Sequence, residues 1–206
     1  MSSLFEIWVR AFPSELSPDV EQVVDLMPPA RYPPTEQSYS YRVRDETMDV
    51  PYRHYSELPA QEELNGLSES MAAVLAAMYT RSTDGRVREN ALDSLLSWPS
   101  AWSPGFVLPL LGEYVVEINR DIRDAVEAGR IPREEWKSFV IENPELIELT
   151  RARAISYLDA YGASWLQGVG EDSALSAFVA LDGLGCVNVA EAVSLLARWR
   201  ERVHSA

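Results

Sequence analysis

Two carboxylates four residues apart, Glu113 and Glu117, are the pair in this sequence best spaced for chemistry. On a helix that spacing sets both side chains on one side, where paired carboxylates can bind a metal or divide acid and base roles. Their angular position is nearly opposite the Leu111, Val115 and Ile118 stripe, and Arg120 and Asp124 continue the same polar row. A solvated face accounts for such a row without chemistry, and a partner contact is the next reading. Arg151 falls between Ile147 and Ala154, Ile155 and Leu158 at helical spacing, so it is expected on an apolar face. A buried guanidinium needs a carboxylate, which Glu113, Glu117 or Glu148 could supply as a structural ion pair; recognition of an anion is the alternative. Arg81, Asp84, Arg86 and Arg88 cluster at one turn, and Arg86, directed away from Val87, is the one of these read as a partner contact. Trp98 and Trp102 bracket Pro99 in a loop, where they either anchor an interface or plug the ends of neighbouring helices.

Other catalytic patterns lack their parts. Cys186, the one cysteine, lies in a Gly-rich turn with no His nearby in sequence. The two histidines, His54 and His204, are far apart, so neither Glu-x-x-His pairs nor zinc spacing occurs. Gly168-Val-Gly170 lacks the third glycine and the lysine of a phosphate loop. No catalytic residue, metal ligand or cofactor is therefore assigned, and the expectation leans away from an enzyme.

The elements that would position these residues change character near Pro59. Residues 1–59 hold eight of the thirteen prolines and form a Pro-rich arm expected to pack on the body. One short helix is expected there, with Ser17 as its cap, Pro18 in its first turn and Val20, Val23, Val24 and Met27 as its stripe. Alternation of Tyr39, Tyr41 and Val43, then of Met48, Val50 and Tyr52, predicts a small hairpin with Pro51 on an edge. Residues 60–206 read as a helical domain of about seven helices. Ser68 caps a helix carrying Met71, Val74, Leu75 and Met78, and Asp84-Gly85 opens a second with Val87, Ala91, Leu95 and Leu96. Ser103-Pro104 starts a long helix that ends at Gly129. Pro132 starts a shorter one, and Asn143-Pro144 begins the next, expected to run to Gly162. Two further helices are expected, around Leu175–Val179 and from Asn188 to Val203. The fold class is all-α, with an irregular N-terminal arm holding a β-hairpin.

Asp84, Val87, Arg88, Ala91 and Leu95 stand in a D-x-x-V-R-x-x-A-x-x-x-L spacing that resembles the second helix of a HEAT repeat. The likeness covers residues 68–118, with Phe106–Leu111 resembling the opening helix of a next unit. It implies a short HEAT-like stack or a bundle that imitates one unit, in which Asp84 and Arg88 tie the turn as structural residues. Leu110–Ile118 and Glu142–Tyr157 resemble a family of uncharacterised bacterial all-α proteins, a resemblance that brings no activity with it.

The formal charge is -14, and 47% of residues are hydrophobic. That composition belongs to a globular chain with a real core. The charge opposes binding to a phosphate backbone and favours a basic protein partner, unless it serves solubility alone. Met1–Arg10 lacks the pattern of a secretory signal, no apolar run is long enough to span a bilayer, and a lone cysteine suits a reducing compartment, so a cytoplasmic protein is expected. The expected function is a non-enzymatic protein-interaction module, with an immunity or antitoxin-like binder of a basic protein as its specific form. Arg86, Trp98, Trp102, Glu113 and Glu117 are its candidate contacts; self-association stays open. Two alternatives remain: a subunit or scaffold of a larger assembly, and an enzyme using Glu113, Glu117 and Arg151.

Overall fold

The structure, a computed structural model, describes residues 4–113 and 115–165. The chain divides into two compact units, residues 1–106 and 107–206. Described residues are predominantly helical, with nine α-helices and one two-stranded sheet. None of the helices described is long and apolar enough to cross a membrane.

The first unit begins with α1 (Leu4–Trp8) and two short 3-10 turns, which lead into α2 (Ser17–Leu26). Ser17 opens this helix instead of capping it: its hydroxyl donates to the Ser14 carbonyl at 2.8 Å. Val20 and Val23 are fully buried and Met27 nearly so. The hairpin follows as β1 (Ser38–Val43) and β2 (Glu46–Pro51), antiparallel, with Tyr41 opposite Met48 and Val43 opposite Glu46. Its turn is two residues, Arg44 and Asp45, with Arg44 at φ 55, a backbone region that costs a side-chain-bearing residue energy. Strict alternation buries Tyr39, Tyr41 and Val43 on one face. Pro51 sits at the strand end, where a missing N–H does least harm.

After α3 (Gln61–Leu64) come two longer helices, α4 (Glu69–Tyr79) and α5 (Gly85–Leu96), packed against each other, with α2 also packed on α4. Each has a side-chain cap. Ser68 Oγ accepts the Met71 N–H at 3.2 Å, and one Asp84 oxygen accepts the Arg86 and Val87 N–H groups at 2.8 and 3.4 Å. Residues 73–79 of α4 are all buried, so this helix is central to the unit. Ser70 donates to Asp19 at 2.5 Å, linking α4 to α2 at the surface. Residues 1–59 thus contain two α-helices where one was expected: α1 is too short to show a period.

The expected long helix over 103–129 is not formed. Instead α6 (Pro104–Val107) gives way to a 3-10 turn over Leu108–Gly112, and the helix restarts as α7 (Val116–Glu127). Pro109 is the physical cause: it has no N–H to donate and its ring crowds the preceding turn. In the second unit this 3-10 turn packs on α9 (Pro144–Trp165) and α7, while α8 (Arg133–Glu142) also meets α9. Gly112 lies against Arg153, whose Cβ would be 2.8 Å from a Cβ added at the glycine. α7 buries Ile118, Ile122, Ala125 and Val126 and ends in a Schellman motif. There Arg130 N–H donates to Ala125 at 2.9 Å, Gly129 N–H to Val126 at 3.2 Å, and Gly129 takes φ 69. α9 continues through Gly162 to Trp165. The helices expected around Leu175–Val179 and Asn188–Val203, together with Gly168, Gly170, Cys186 and His204, lie outside the described residues.

Candidate functional site

The turn between α4 and α5 is held by buried polar groups. Arg81 is fully buried; its Nε donates to Thr80 Oγ1 at 3.2 Å, its Nη2 to the Phe106 carbonyl at 3.2 Å, and its guanidinium stands 5.8 Å from the Tyr39 ring. Arg88, 7% exposed, turns back from α5 and donates through Nη1 to the carbonyls of Ser82 and Thr83 at 2.9 and 3.1 Å. With Asp84 as cap, both ends of this turn are satisfied by side chains six residues apart or fewer. His54 forms an isolated parallel bridge with Ser82, its N–H donating to Arg81 at 3.0 Å. The imidazole is fully buried, edge-on to Trp8 (5.6 Å between centroids) and Tyr79 (4.9 Å). Nδ1 accepts the Ser56 N–H at 3.3 Å, which places the neutral ring's proton on Nε2. Burial pulls its pKa down to about 4; the Met78 backbone opposes this, and Arg81 and Arg53 add to it.

Tyr79 connects this buried cluster to the surface. Its hydroxyl donates to the Glu57 carbonyl at 2.5 Å, and its ring closes one end of an open groove of about 250 Å³. Burial holds the Tyr79 phenol above its ordinary range, so it stays a neutral donor. Ala72, Leu75, Ala76 and Tyr79 come from α4, and Val87, Asn90, Ala91 and Ser94 from α5. Both sets follow the i, i+3, i+4, i+7 spacing of one helix face, so the groove is the furrow between two neighbouring ridges. Leu58, Leu64 and Leu67, from the segment around α3, form its outer wall, and Leu58 is 51% exposed. Such an exposed leucine beside an apolar furrow marks a contact surface better than scattered apolar residues do.

A larger cleft of about 550 Å³ lies between the N-terminal turn and the 33–38 segment, lined by Arg10, Pro33, Pro34, Glu36, Asp49 and Pro51 among others. Its charges are of both signs, and Arg10 and Glu36 are exposed, so water already satisfies them. The groove on α4 and α5 is the better candidate because its lining is almost wholly apolar.

The residues singled out by sequence are divided between the two units, Arg86, Trp98 and Trp102 in the first and Glu113, Glu117 and Arg151 in the second. Arg86 is exposed at the start of α5. Trp98, just past the end of that helix, is 43% exposed, while Trp102 is buried edge-on to Phe12 at 5.3 Å and to Phe106 at 5.9 Å. Glu113 is buried in extended backbone after the 3-10 turn, and Glu117 is exposed in the first turn of α7. Their expected position on one helical face fails with the break after Pro109. Arg151 pairs with Glu148 at 2.9 Å and keeps 25% side-chain exposure, so it is half-buried rather than enclosed in the core. That pairing draws the Glu148 carboxyl below its usual range. Among the described residues, no three of His, Cys, Asp and Glu are grouped so as to hold a metal ion. Sequence reasoning passed over the groove itself, although Ala72 and Ala76 on α4 and Ala91 and Ser94 on α5 recur at the spacing of one helix face. Comparison with known protein families, curated proteins and solved structures finds no match.

Proposed function

We propose that this protein is a non-enzymatic interaction module that binds a basic protein, with the α4–α5 groove as its contact surface. The observation that carries the reading is an apolar groove in an acidic setting. Residues 57–94 hold six exposed carboxylates, Glu57, Glu62, Glu63, Glu69, Asp84 and Asp93, against one exposed guanidinium, Arg86. Apolar burial would supply affinity, and the surrounding charge would select and steer a cationic partner. The HEAT-like reading of residues 68–118 is supported locally by Asp84 and Arg88 tying the turn, and an immunity or antitoxin-like role is one form of the same proposal. The test is capture of partners from native-host extract by the full chain at low and high salt, beside a Glu57→Arg/Glu62→Arg variant. A basic protein retained at low salt, and lost both at high salt and with the variant, is the expected result. Capture indifferent to the charge reversal, or no basic partner at all, refutes the proposal.

A further inference from the structure

The groove has a shape that restricts its occupant. Its two ridges run side by side along the helix axes, and from Ala72 to Tyr79 the floor extends about 10 Å, or two helical turns. Alanine at 72, 76 and 91 and serine at 94 keep the floor low. Small residues at a contact let a third helix approach toward the near end of the roughly 8–10 Å range of packed helix axes. An extended peptide has no comparable purchase. Strand addition needs a row of unpaired backbone groups, and the α4 and α5 sides of the groove are helices whose backbone is bonded internally. A drug-sized molecule is also a poor fit, since about 250 Å³ of open furrow is below the roughly 300–1,000 Å³ of enclosing sites.

Charge then specifies the flanks. Asp93 lies three residues past Asn90, on the outer side of α5, and Glu57, Glu62 and Glu63 adjoin Leu58 and Leu64 on the opposite wall. Nucleic acids and anionic lipid surfaces are repelled by this arrangement. We infer that the groove takes an amphipathic α-helix of a protein partner, its apolar i, i+3, i+4, i+7 stripe in the furrow and Lys or Arg along both flanks. This rests on the interaction-module reading. Arg86, the exposed cation at one end of α5, adds a point at which the partner helix would carry an acidic or C-terminal group.

The experiment uses the full chain and a labelled synthetic peptide of about four turns, with Leu on one stripe and Lys or Arg on the flanks. Fluorescence anisotropy reads binding, and circular dichroism reads the helix gained on binding. A scrambled peptide of the same composition, and one with a central proline, should bind at least about tenfold more weakly. Ser94→Trp and Asn90→Arg, both at exposed positions lining the groove, should weaken the stripe peptide by a similar factor, with folding checked by amide exchange. Ser40→Trp, exposed on β1 and outside the groove, should leave it unchanged. Equal binding of scrambled and striped peptides, no binding of either, or indifference to both groove variants overturns the inference. If the peptide result is negative while host extract still yields a basic partner lost on charge reversal, the module stands and its occupant is not a helix; if both fail, both readings fall.

Discussion

Lowering the pH should weaken the first unit through the buried imidazole of His54. The imidazole is fully buried and held neutral, with a pKa near 4 against an ordinary 6.5. Between those values the unfolded chain takes up a proton that the folded chain refuses, so stability rises with pH across that window and falls as pH drops through it. Each tenfold difference in proton affinity is worth about 1.4 kcal/mol, so the loss approaches about 3 kcal/mol near pH 4. That is a large share of a domain's usual ~5–15 kcal/mol. The assay is urea unfolding at steps from pH 7.5 to 4.5, followed by hydrogen exchange of α4 and α5 amides. His54→Phe serves as a control that keeps a ring between Trp8 and Tyr79 but cannot titrate. The wild type should lose about 2–3 kcal/mol more than this variant over the range. In parallel, NMR titration with His204→Gln isolates the His54 signal, which should stay neutral until close to pH 4. An imidazole titrating near 6.5, or identical pH slopes in wild type and variant, would refute the reasoning.

Gly105→Ala should destabilise the first unit by about 1–3 kcal/mol, because its new methyl would enter the Tyr41 ring, which is 2% exposed. An unchanged urea midpoint would show that the ring has room to move. Arg151→Met should leave the unfolding midpoint nearly unchanged, since Glu148 is exposed and a methionine keeps the apolar contacts of the half-buried arginine stem, and should let the Glu148 carboxyl titrate closer to its ordinary range. A large drop in midpoint would place Arg151 in a tighter environment than the one described.

Elements whose cause is local were readable in the sequence. Ser68 and Asp84 both act as caps because a short polar side chain directly before an apolar period has an adjacent N–H to accept. The Tyr39, Tyr41, Val43 alternation is reproduced as buried positions in β1 because a pleated strand leaves it no other arrangement. The 103–129 stretch misled for a related reason. Its apolar spacing continues across Pro109, yet periodicity does not register a missing hydrogen bond, and with the break the Glu113–Glu117 pairing on one face disappears. His54 and Arg81 were illegible because what buries them is remote: the Trp8 and Tyr79 rings for one, the Phe106 carbonyl for the other. The groove needed two helices side by side before its alanines became a floor.

The bond from the Tyr39 hydroxyl to the Gly105 carbonyl, 3.0 Å long, joins residues 66 apart in the chain. During translation at about 5–20 residues per second, Gly105 is added some 3–13 seconds after Tyr39. A lone two-stranded hairpin is marginal in water; the Ala11 carbonyl, made earlier, already accepts from the Tyr41 hydroxyl, whereas Tyr39 waits for Gly105. That interval exceeds the microseconds a hairpin needs to form by several orders of magnitude. The hairpin can therefore form and re-form many times before the Tyr39 hydroxyl meets its final acceptor.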